Sequence, residues 1–334
     1  MHDAGKNRGP RCVPGLRGNG MSGLNRRDFM AISAGVTALV GGNKSESAEP
    51  GSASGLVVCM HGITSSEFDF RTCLEGWARA GIRAAEPDLV KARQYEQANG
   101  RGSARKLLDD LGLQAFSSTN QLYLEANGED RAQALEDLRW KVELAESLGA
   151  SRLVIPSAAS APHTLADYAQ VRANLYEAGE IAKPHKVALM VEFTRNSRVI
   201  NNVRTALDVV RGVGHPNVRF MLDVYHFWAG PSKFEDLDLI EPGEIHHVHF
   251  ADTPSQPPLE VAEQKDRAFP GEGRAPLQKI LDKLVALGYD RALSLELFDM
   301  QVRRTDPGFI AARALQTITP YIQQAALAAS RGTR

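Results

Sequence analysis

VALMVEF (187–193), VRFMLD (218–223), IHHVHF (245–250) and ALSLEL (292–297) are four apolar runs built to one pattern. Each is an apolar run interrupted by a carboxylate or imidazole near its C-terminal end, although IHHVHF carries two further histidines and ALSLEL a serine. Unbroken hydrophobicity, without polar alternation, marks strands buried on both faces, as in a parallel sheet. Four shorter runs precede them: LVVCMH (56–61), IRAAE (82–86), LQAFSS (113–118) and RLVIPS (152–157).

Helical patterns fill the intervals. In DRAQALEDLRWKVELAESLG (130–149), Ala134, Leu138, Val142, Ala145 and Leu148 recur at helical spacing and Gly149 ends the run. Further helices are expected near 70–80, 103–111, 165–182, 199–212, 277–287 and 308–328, with Pro276 suiting a helix start. After Asp223 the pattern supports only a weak helix near 233–239. Eight strand–helix units over about 280 residues are the arithmetic of a single-domain (β/α)₈, or TIM, barrel occupying 51–334. A doubly wound open sheet usually carries a glycine-rich turn after its first strand. Here that turn reads HGITSS (61–66), and GEGRAP (271–276) follows no strand.

The 334 residues are 43% hydrophobic and 24% charged, a globular composition. Residues 1–50 carry seven Lys/Arg against four acids, which leaves 32 basic and 36 acidic residues in the body. A mildly acidic body argues against a nucleic-acid partner, which needs a basic surface. Cys12, Cys59 and Cys73 are the only cysteines, too few for a cysteine-rich zinc site. Residues 1–50 read as an export signal and linker. NRRDFM (25–30) precedes the apolar stretch AISAGVTALV (31–40), resembling a twin-arginine signal, and NKSESAEPGSASG (43–55) leads into the body. Ten apolar residues are too short for a membrane span, which takes about 20. The expectation is a folded, exported protein without a stable membrane span.

In a barrel, the C-terminal ends of the strands form the active-site face. Glu192, Asp223, His249 and Glu296, on four consecutive strands, would therefore meet at one point. Taken singly, a strand-end carboxylate is as readily a helix cap or ion-pair partner, and a lone buried histidine is more often a satisfied core residue. Four together argue for a shared role. Three clustered carboxylates repel one another unless a divalent cation joins them. One imidazole with three carboxylates suits Mn²⁺ foremost, or Zn²⁺, Co²⁺ or Mg²⁺.

These pieces, with NVRFMLDVYHFW, IHHVHFADT, KDRAFPGEG and GYDRALSLELF, resemble the xylose isomerase-like sugar isomerase/epimerase barrels in order and approximate spacing. Within that family the look is most like the inosose isomerases. The resemblance is strongest over 187–299 and extends weakly back to Leu56. It implies that Glu192, Asp223, His249 and Glu296 are the metal ligands and that Glu192 and Glu296 move protons. It implies that His226 contacts substrate oxygen and that Arg267 sits beside metal or substrate. The implied activity is isomerisation or epimerisation of a keto-sugar or keto-cyclitol, by α-proton abstraction and a metal-stabilised enediolate.

Residues read from position alone complete the candidate pocket. His61 ends the first strand and would face the same mouth, as would Glu86 on the second and His163 after the fourth. Trp228, with Phe227, could wall one face of a sugar ring. His247 would share a side with His249, deeper in the barrel, in a structural role. The nearest rival keeps the site and loses a leaving group after the same proton abstraction, giving a dehydratase or a lyase of 3-keto-glycosides. Dehydroshikimate dehydratases resemble the same KDRAFPGEG and SLELF segments, and TRNSRVINN (194–202) departs from the inosose isomerase pattern. An endonuclease IV-like nuclease would need a basic groove, a serine hydrolase would need G-x-S-x-G, which is absent from the chain, and a non-catalytic sugar-binding barrel would show no turnover.

Overall fold

The structure, a computed structural model, describes residues 55–119, 128–159 and 164–332. The export signal, most of the linker and His163 lie outside the described residues. Eight strands alternate with helices: β1 (Val57–His61), β2 (Ala84–Glu86), β3 (Gln114–Ala115), β4 (Arg152–Pro156), β5 (Ala188–Glu192), β6 (Val218–Asp223), β7 (Ile245–His249) and β8 (Ala292–Leu295). They form one parallel sheet in the order β3-β2-β1-β8-β7-β6-β5-β4. Just past β3 the chain crosses to β4: Ser118 N–H donates to the Arg152 carbonyl (3.1 Å), and a parallel bridge pairs Thr119 with Val154. That contact closes the curled sheet into the expected TIM barrel, and the open-sheet alternative is excluded.

The register sets the level of the site. His61 pairs with Glu86, Pro156 with Glu192, and Asp223 with His249. Every one of these residues ends or nearly ends its strand, so all lie in one layer at the C-terminal face. Below it the barrel interior is apolar around Val154, Met190 and Met221, all fully buried.

Around the barrel run α1 (Phe70–Ala80), α2 (Leu89–Asn99), α3 (Ser103–Asp110), α4 (Gly128–Leu148), α5 (Leu165–Ala182), α6 (Val203–Val213), α7 (Val224–Ala229), α8 (Leu277–Ala286), α9 (Met300–Arg303) and α10 (Pro307–Gly332). Gly149, at φ +80°, stops α4 where the sequence places the stop. The differences from the sequence reading have local causes. Helix α2 was not expected, because only Leu89 and Ala92 are buried and no apolar period shows. Its start is held by Asp88, whose side chain accepts from Val90 and Lys91 N–H. The run 113–118 gives only a two-residue strand, since its end leaves β2 to meet β4. After Asp223 the chain turns at once into α7, and the segment 233–239 becomes a 3₁₀ turn.

Helices α1 and α10 pack against each other at Gly76. A Cβ built there would lie 2.8 Å from Pro307 Cβ and 2.8 Å from Gly308 N. Gly76→Ala in an exposed helix would stabilise by about 0.5–1 kcal/mol. Here overpacking wins, and urea denaturation should show a net loss of about 1–3 kcal/mol.

Candidate active site

Glu192, Asp223 and His249 are the last residues of β5, β6 and β7, and Glu296 follows β8 directly. One donor atom from each of the four lies within 4.8 Å of the others. His249 turns Nδ1 toward all three carboxylates, 3.0 Å from Glu192 Oε1, 3.3 Å from Glu296 Oε2 and 3.5 Å from Asp223 Oδ2. The oxygens of Asp223 divide their work. Oδ1 accepts the His226 N–H at the start of α7 (2.7 Å), and Oδ2 faces the cluster. The immediate turn from β6 into α7 is what makes that cap possible.

Arg267 joins from the β7–α8 loop. Its Nη1 donates to Asp223 Oδ2 (2.6 Å) and stands 3.0 Å from Glu296 Oε2. Nη2 lies 3.1 Å from His226 Nε2, and the guanidinium stacks on Tyr225 and Phe298. Removing one partner from a buried pair of this kind costs about 3–5 kcal/mol.

The charges fit a cation site. Burial pushes the Glu192 carboxyl up to about 7, against the pull of His249. Burial also works against the ionised forms of Asp223 and Glu296. For Asp223, Arg267 and His226 outweigh it and hold the group below the usual carboxylate range. For Glu296, Arg267, His249 and His61 bring it down to about 2. The His249 imidazolium is stabilised well above its ordinary range, since the carboxylates around it overcome its desolvation. His226, buried beside Arg267, is pushed down to about 4. Three carboxylates thus converge on one imidazole nitrogen, with hard oxygen donors and one borderline nitrogen. Glu192, Asp223, His249 and Glu296 would hold a divalent cation.

A cavity of about 420 Å³ opens over this layer. Glu192, Glu296, Arg267 and His61 line it, whereas Asp223 and His249 are sealed beneath. His61 Nε2 stands 3.6 Å from Glu296 Oε1. His226 is buried behind Arg267 and is not part of the lining. Trp228 is half-buried against the hydrophobic core and Phe227 is within it, so neither walls the cavity. Their ring-wall reading yields to Phe298, which lines the cavity and follows SLEL directly.

The sequence reading missed three contributors. Lys141 reaches the cavity from α4, and nothing in a helical period singles out such a lysine. Arg195, in the unmatched stretch 194–202, donates to the carbonyls of Leu259 and Ala262 and ties the β5 loop to the β7 loop. Asp252 anchors the loop that carries Arg267: its carboxylate accepts the N–H groups of Gly271, Gly273 and Ala275 (3.0 Å each). Its backbone pairs with Ala268. A Cβ on Gly273 would collide with the Asp252 carboxylate and the Thr253 carbonyl, so the glycines of GEG were the available signal.

Asp252→Asn would turn an amide N–H₂ toward donors. We expect about 1–3 kcal/mol of destabilisation by urea titration. Faster hydrogen exchange should be confined first to residues 267–275.

Comparisons with known proteins agree with this fold. An inosose isomerase of Halalkalibacterium halodurans is 35% identical over 125 residues, 37% of this chain and 44% of that protein. The match therefore spans under half the length of that relative. A 3-dehydroshikimate dehydratase of Pseudomonas aeruginosa is 30% identical over 228 residues, 65% of this chain and 35% of the relative. Among solved structures, an IolI protein with a bound zinc atom superposes with a TM-score of 0.73 at 20% identity, over 80% of this chain and 99% of that one. The model of the xylose isomerase-like TIM barrel matches residues 74–321. With eight parallel strands closed into a barrel and the four donors at its C-terminal face, the chain belongs to the xylose isomerase-like TIM barrel family.

Proposed function

We propose that the protein is a divalent-metal-dependent isomerase or epimerase of a keto-sugar or keto-cyclitol. One observation carries the reading. Of the four clustered donors, only the two glutamates, Glu192 and Glu296, line the cavity. The cation would supply Lewis acidity toward a carbonyl and its neighbouring hydroxyl.

The residues of the chain supply the rest. A glutamate beside the α-carbon takes its proton: an O–H bond forms, the C–H bond breaks, and the electron pair moves toward the carbonyl oxygen. The second glutamate returns a proton to the neighbouring carbon or to the opposite face. Glu192 and Glu296 both line the cavity, so each is placed to reach the carbons between which the proton moves. Arg267 places positive charge where the oxyanion develops, and its loop is fixed in advance by Asp252. A volume of about 420 Å³ suits a monosaccharide or cyclitol with water.

The lyase outcome is the second reading. It is favoured by the dehydratase match, which spans more of the chain than the inosose isomerase match does. Proton NMR in D₂O separates the two, using the Mn²⁺-loaded protein with keto-cyclitols, ketohexoses and 3-keto-glycosides. Deuterium exchange with interconverting isomers is the expected result. A new vinylic signal with loss of water or aglycone would instead establish the lyase. Glu296→Gln should cut turnover by about 10²–10⁴-fold while substrate still binds.

We propose export through NRRDFM (25–30) and the apolar stretch 31–40. No described helix is long and apolar enough to cross a membrane. Replacing Arg26 and Arg27 together by lysine should leave the protein in the cytoplasm of an expressing bacterium. Unchanged export in fractionated cells would refute this route.

A further inference from the structure

Glu86 ends β2 and its side chain is fully buried, yet neither the cation site nor the proton transfer above uses it. Its carboxylate is surrounded by donors. His247 Nε2 lies 2.9 Å from Oε2, Ser294 Oγ donates to Oε2 (2.9 Å), and Thr119 Oγ1 donates to Oε1 (3.2 Å). His249 Nε2 stands 3.3 Å from Oε2 and 3.5 Å from Oε1. The orientation of Thr119 is itself fixed. His61 Nδ1 accepts the Ile63 N–H, so the other ring nitrogen points its hydrogen at Thr119 Oγ1 (2.8 Å), which passes its own to Glu86.

An ionised carboxylate only accepts, so each contact has one direction. A hydrogen of His249 belongs on Nε2, facing Glu86. Without a cation the imidazolium donates through both ring nitrogens; a cation among Glu192, Asp223 and Glu296 would take the place of the Nδ1 hydrogen, while the Nε2 hydrogen would stay on Glu86. We propose that Glu86 is a positioning residue that holds His249 as the Nε2–H tautomer, makes Nδ1 the cation donor and so sets the affinity of the site. The inference rests on the four-donor reading. The carboxylate cannot swing away to release His249, because Ser294, His247 and Thr119 hold both of its oxygens. Such carboxylate–histidine pairs behind metal ligands raise ligand basicity as well as fixing the ring.

The test uses the full chain stripped of metal and titrated with Zn²⁺ against a chromophoric chelator. Glu86→Gln should bind Zn²⁺ about 10- to 100-fold more weakly than the parent. The second measurement is on the parent itself, loaded with Zn²⁺ and nitrogen-15-labelled on histidine. Its NMR spectrum should show His249 protonated on Nε2 and metal-shifted on Nδ1. Equal Zn²⁺ affinity in a folded Glu86→Gln variant, or ligation through Nε2 in the parent, overturns the proposal. Should the variant fail to fold, the tautomer of the parent decides alone. A parent chain that takes up no Zn²⁺ refutes the four-donor reading, and this inference falls with it.

Discussion

Three carboxylates and one imidazole packed within 4.8 Å, all buried, are the constraint on which this barrel depends. Negative charge in that density, away from water, opposes folding unless positive charge or a cation meets it. The chain meets part of it itself. Arg267 reaches Asp223 and Glu296, and His249 takes a position among all three acids. The remainder is the charge that a divalent cation would offset in a site of this composition. The surrounding architecture serves to hold those side chains at one level.

That level comes from strand register, and the fixity comes from loops. Parallel pairing puts His61 beside Glu86 and Asp223 beside His249. The abrupt turn into α7 lets the backbone of His226 occupy one oxygen of Asp223, so only the other faces the cluster. Asp252 does the equivalent for the loop after β7, gathering three backbone N–H groups so that Arg267 arrives in place. Charged groups held this way need no reorganisation when charge develops on a substrate.

The sequence made the strands and four donors legible because their signals are dense: apolar-rich runs, each with a costly polar residue near its C-terminal end. Glu192, Asp223, His249 and Glu296 needed only the barrel rule to be brought together. Helix α2 was invisible because it buries too little to show a period. Trp228 looked like a sugar wall from its place after His226. The direction of a side chain on a six-residue helix cannot be read from spacing, and it packs against the core. Asp252 and Lys141 act across distances of 19 residues or more, or from outside the strand ends, where local pattern carries no information.

Relatives of this chain include isomerases, an epimerase and dehydratases, outcomes that one kind of proton abstraction can feed. Removing an α-proton beside a polarised carbonyl is common to isomerisation, epimerisation and β-elimination. The branch comes afterwards, with what faces the second carboxylate. A bare carbon there receives a proton, whereas a β-hydroxyl or glycosidic oxygen leaves as the acid protonates it. In the proposed reaction Glu192 and Glu296, which both line the cavity, would provide the two groups in either case. The choice therefore rests with the cavity wall that orients the substrate's β-carbon. In this chain that wall includes His61, Lys141 and Phe298. On the proposed function, selection between the reactions would act at those side chains rather than at the four clustered donors.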